Sequence, residues 1–116
     1  MSGAHRLTRA TLEPLTLDQK FTLLADRRRR TLVFVLGEVA DPVSIGGLGE
    51  RLVAREEPES ALDQSALDDV ELELHHVHVP KLAAHDVLEY DAESGVVSRG
   101  PRFERVHSWL ESVDER

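Results

Sequence analysis

The sequence predicts a single α+β domain, mainly helical, and three observations carry that reading. Four stretches before residue 86 have helical caps or helical apolar spacing. Two short β-prone runs, 87–90 and 96–99, flank a glycine-containing loop. A final amphipathic stretch follows Pro101. At 116 residues the chain is large enough for one core and too small for two.

Residues 1–15 read as a flexible arm carrying His5, Arg6 and Arg9 and closed by Pro14. A disordered terminus and a minor-groove-probing arm both fit that composition. The first helix begins at Thr16: Thr16 with Gln19 makes a capping box, and Leu17, Phe21, Leu24 and Ala25 share a face. Asp26 caps a second helix from Arg27 to about Val39. Its apolar run 32–36 would also suit a buried strand, but the cap and the charged first turn favour helix. Asp41-Pro42-Val43 is a connector. Ser44 caps a third helix to about Arg55, with Ile45, Leu48, Leu52 and Val53 as its buried stripe. Gly46, Gly47 and Gly49 weaken that helix by about 1 kcal/mol each and point to close packing against a neighbour. Residues 56–64 form an acidic loop containing Pro58.

Ser65 to about His85 is the long central element, and two patterns compete there. Val70, Leu72 and Leu74 alternate with acids, as in a strand. Leu67, Val70, Leu74, Val77 and Lys81 keep helical spacing, as do Leu72, His75, Val79 and Leu82 on a second face. Propensity alone leaves both open. In a helix, Pro80 places a kink near the carbonyl of His76. The runs 87–90 and 96–99 make a hairpin around residues 91–95, and Pro101 opens the last helix. Phe103, Val106, Leu110 and Val113 recur at heptad-like spacing, so this helix either docks on its own core or pairs with a second copy. The pairing reading, which we favour, makes those four residues the seam of a homodimer.

Asp plus Glu total 22 against 14 Lys plus Arg, a formal net charge of −8. That sign is wrong for a nucleic-acid binder, whose affinity rests on neutralising phosphates. Either the chain does not bind DNA or its carboxylates are a solvent adaptation. Lys20 and Lys81 are the only lysines. A carboxylate-rich, lysine-poor surface suits a high-salt cytoplasm, where the screening length falls to roughly 3 Å at 1 M salt. No apolar run approaches the ~18 residues of a membrane span. The absence of cysteine excludes disulfides and thiolate metal sites.

Residues 23–32, Leu-Leu-Ala-Asp-Arg-Arg-Arg-Arg-Thr-Leu, resemble the first two helices of ArsR-type repressors. Residues 43–52 resemble the first helix of their DNA-reading pair. The run His76-Val77-His78-Val79-Pro80-Lys81-Leu82, followed by Val87-Leu88-Glu89-Tyr90-Asp91, is similar to a haloarchaeal family of small winged-helix domains. The resemblance implies a winged helix-turn-helix domain over residues 16–99, with a C-terminal helix over 100–116. It makes 65–85 the reader helix and 87–99 the wing. The chain departs from the pattern in its longer acidic insertion and in Asp68, Asp69, Glu71 and Glu73, which stand where repressors carry polar or basic side chains.

The function so implied is a dimeric transcription regulator on double-stranded DNA in a high-salt cytoplasm. The alternative is a module of the same fold whose acidic reader meets a protein. On the DNA reading, His76, His78 and Lys81 reach phosphates or base edges, and Arg99 positions the wing. Arg28 and Arg29, from the block 27–30, contact phosphate; four arginines in a first turn oppose the helix dipole, so salt bridging is their competing role. His75 and His78 lie at metal-ligand spacing, but two nitrogens do not complete a site, and no metal or cofactor is expected. No nucleophile with a base and no phosphate loop is present, so no catalytic residues are assigned and the chain is not expected to be an enzyme.

Overall fold

The computed structural model describes residues 13–114. The first helix, α1, spans Leu17–Leu24. Its capping box is closed in both directions, Gln19 N donating to Thr16 Oγ1 at 3.1 Å and Thr16 N to Gln19 Oε1 at 2.8 Å. Asp26 caps α2, Arg27–Glu38, by accepting from the backbone N–H of Arg28 at 2.8 Å and of Arg29 at 3.2 Å. Ser44 caps α3, Ile45–Glu56. Leu23, Leu32, Leu36, Leu48 and Leu52 from these three helices are fully buried and form the centre of the core.

The expected connector contains a strand. Val43–Ser44 form β1, which pairs antiparallel with β3, Val96–Arg99; β3 in turn pairs with β2, Leu88–Asp91, giving the sheet order β1-β3-β2. Two residues are too few to show a strand period, so β1 is defined by its partner rather than by itself. Within the acidic loop, Pro58–Ser60 make one 3₁₀ turn.

The long central element is a continuous helical rod in three parts: α4, Gln64–Glu73; a π-helical turn, Leu74–His78; and α5, Val79–Ala84. Pro80 accounts for the middle part. It has no N–H for the carbonyl of His76 and its ring crowds that carbonyl, so the backbone widens there. Val79 N–H instead bonds Leu74 O, five residues back. The rod ends at Asp86, whose φ of 62° lies in the left-handed region. Bonds from Asp86 N to Ala83 O at 3.0 Å and from Val87 N to Leu82 O at 3.1 Å close a Schellman motif around it.

The hairpin returns to the rod at Gly100. A β-carbon there would stand 2.5 Å from Asp86 O and 2.9 Å from Leu88 N, so glycine is what lets the base of the hairpin close. The last helix, α6, runs Phe103–Asp114, two residues later than Pro101, which lies in a turn closed by Phe103 N–H to Gly100 O at 3.0 Å.

Two expectations are corrected. Phe103, Val106 and Leu110 are buried in the chain's own core, where α6 packs on α2, so they do not form a seam with a second copy; Val113 alone of that stripe is exposed. Of the expected arm 1–15, residues 13–15 are docked: Leu15 is buried, and Glu13 O accepts from Arg102 Nε at 3.0 Å. Residues 1–12, with His5, Arg6 and Arg9, lie outside the described residues.

Candidate interaction surface

The arginine block at the start of α2 opposes that helix's dipole, but it meets the open C-terminus of α1, whose last carbonyls need donors. Arg29 Nε donates to Leu23 O at 2.6 Å, and Arg30 Nη1 donates to Leu24 O at 2.8 Å and Ala25 O at 3.0 Å. Arg29 is only 8% exposed, and its Nη1 lies 3.3 Å from His78 Nδ1. His78 is 3% exposed, with Nε2 3.2 Å from Glu73 Oε1. Arg28 holds Glu56 at 2.9 Å and also pairs with Glu73. Burial works to lower the pKa of the Arg28 guanidinium, but the bonds and charges of Glu56 and Glu73 outweigh it and raise the value.

Arg99 is likewise turned inward. Its Nε donates to Leu36 O at 3.0 Å and its Nη2 to Val39 O at 2.9 Å, with the guanidinium 5.5 Å from the Phe103 ring centroid. Of the six residues expected to touch DNA, Arg28, Arg29 and His78 join helices to one another and Arg99 ties β3 to α2, so these four are engaged within the fold. His76 and Lys81 are exposed on the rod.

His75 and His78 do not converge. His75 Nδ1 is hydrogen-bonded to the Tyr90 hydroxyl, with the two rings edge to face at 5.6 Å, so it fastens the rod to β2. His78 faces α2. Among the described residues no three His, Asp or Glu side chains are grouped to hold a metal ion.

Between α4 and the hairpin lies an open groove of about 490 Å³. Ile45, Leu72 and Tyr90 supply its apolar lining, and Asp68, Glu71 and Glu93 its carboxylates. Leu72 is 59% exposed despite its position mid-helix. Among the described residues none of the three carboxylates is in an ion pair; Asp68 accepts from Gln64 Nε2 at 2.8 Å. In the sequence the acids of this helix stand out only as a departure from a DNA reader, and Leu72 falls on the second apolar face of the rod, the one that suits a partner rather than the chain's own core. The available signal was Leu72 standing between Glu71 and Glu73, with Asp68 one turn back.

Fold and surface together define a small, mainly helical α+β domain built on a helical rod and a three-stranded antiparallel sheet. The chain belongs to the family described as a domain of unknown function (DUF7344), which matches residues 21–98, from α1 into β3. No curated protein and no solved structure matches it. Among the described residues no helix is long and apolar enough to cross a membrane.

Proposed function

We propose that this chain is a winged-helix domain acting as a protein-interaction module, with α4 and the hairpin as its contact face. The layout supports the first half: α2, β1, α3, rod and hairpin follow in winged-helix order, and the return strand of the hairpin pairs with the short first strand. One observation carries the second half. The exposed start of the rod, where a DNA reader presents donors, presents Asp68, Asp69, Glu71 and Leu72. A duplex carries one negative charge per ~1.7 Å, so this face repels it. The role is non-catalytic and requires no cofactor.

A DNA-binding transcription regulator is the second reading, favoured by the exposure of His76 and Lys81 on the same rod. Benzoyl-phenylalanine placed at position 72 and photolysed in lysate of the cells that express the protein separates the two. Protein adducts identified by mass spectrometry are expected. Nucleic-acid adducts, with a duplex mobility shift in KCl that Lys81→Ala weakens, would establish the DNA reading instead.

A further inference from the structure

We infer that the α4–hairpin groove receives a basic peptide segment carrying one apolar anchor side chain. The inference rests on the interaction reading and names the partner's chemistry. Two properties of the groove select that occupant. Leu72, Ile45 and Tyr90 give it apolar surface along an open groove of about 490 Å³, into which one apolar side chain of an extended segment can lie. Asp68 and Glu71 on α4 and Glu93 on the hairpin give it carboxylates that no cation of the described residues neutralises.

Other occupants fit less well. A metal ion would need converging ligands, and the described residues contain no such group. A second copy of this chain brings a net charge of −8 to an acidic face. Nucleic acid is repelled. A Lys- or Arg-bearing segment reverses the sign, and its apolar residue covers Leu72, a side chain that otherwise stands in water. Complementary charge sets orientation and on-rate, while the buried anchor carries most of the affinity.

The test uses the full chain and fluorescence anisotropy with three short labelled peptides. The first is Lys/Arg-rich with a central Leu; the second replaces that Leu by Ser; the third keeps the Leu and replaces the bases by Glu. The first is expected to bind, the second about tenfold more weakly, and the third weakest of all. Glu71→Gln with Asp68→Asn, and separately Leu72→Asp, should each weaken the first peptide by about tenfold or more. Glu59→Gln, on an exposed residue of the 3₁₀ turn, should change nothing. In molar KCl the preference for bases should shrink as the exposed charges are screened, while the dependence on Leu persists. Equal binding of the acidic peptide, no binding of the first peptide, or binding indifferent to the Leu72 and Glu71 changes overturns the proposal. If any of these occurs while photolysis at position 72 still yields protein adducts, the interaction reading stands and only the partner chemistry fails.

Discussion

Arg29 and His78, 49 residues apart in the chain, meet in the interior with Arg29 Nη1 3.3 Å from His78 Nδ1. A guanidinium only donates, so Nδ1 must accept, and in the neutral ring the proton sits on Nε2, facing Glu73 Oε1 at 3.2 Å. This bond joins the first turn of α2 to the π-helical turn, the part of the rod that Pro80 loosens. Nitrogen-15 NMR of the neutral ring is therefore expected to report the Nε2–H tautomer, and an Nδ1–H signature would contradict the pairing. His78→Ala leaves a buried donor of Arg29 without its acceptor and should cost about 1–3 kcal/mol in urea unfolding.

The cap of α2 makes stability depend on pH in a definite direction. Burial alone would raise the Asp26 carboxyl, but the backbone N–H bonds from Arg29 and Arg28, with nearby positive charge, hold it below its ordinary value of 3.8. A carboxyl whose folded pKa is depressed contributes stability above its unfolded pKa and loses it as pH falls through the folded one. Asp26→Ala should cost about 1 kcal/mol at neutral pH. The gap between wild type and variant should narrow below about pH 4. Urea midpoints across a pH series measure that gap, and a gap that stays constant would mean the carboxylate charge is not what caps the helix.

Arg99 distinguishes a scaffold arginine from a DNA-contacting one. It binds two carbonyls at the end of α2 and covers the Phe103 ring, tying β3 to two helices. Arg99→Ala should lose about 1–3 kcal/mol. Arg99→Lys should recover little of it, because a single ammonium does not reproduce the planar fork. Lys81→Ala, at an exposed position, should stay within about 0.5 kcal/mol of wild type in the same denaturation series. Comparable losses from the two alanine variants would mean that Lys81 too has a structural role.

Much of the fold was legible because its signals are local. The capping residues Thr16, Asp26 and Ser44 each sit where the sequence places them, and the hairpin follows its glycine-containing loop. Strand β1 was not legible, since its two residues acquire strand character only from Val96 and Val97, more than fifty positions later. The candidate site was harder still. The sequence places the end of α1 beside the four arginines and offers salt bridging as a role for them, but does not say which of them turn back. That Arg29 and Arg30 take carbonyls of α1 while Arg28 takes Glu56 and Glu73 depends on the angle between the helices. The groove was hidden for the opposite reason. Leu72 has the spacing of a core residue, and only the position of the hairpin shows that nothing covers it.

The apolar stripe of α6 gives the last test. Phe103, Val106 and Leu110 are each under 5% exposed, packed on α2 and its neighbours, whereas Val113 is 43% exposed. Periodicity does not tell a stripe that docks at home from one that pairs abroad, because both bury the same face. Burial within the single chain does. Leu110→Ala should therefore cost about 2–5 kcal/mol, the ordinary cost of a core cavity, and Val113→Ala well under about 1 kcal/mol. The Leu110 loss should be the same in dilute and in concentrated protein, since the side chain already has its partners before any second copy arrives. A loss that appears only at high protein concentration, where association dominates, would return this stripe to the role of a dimer seam.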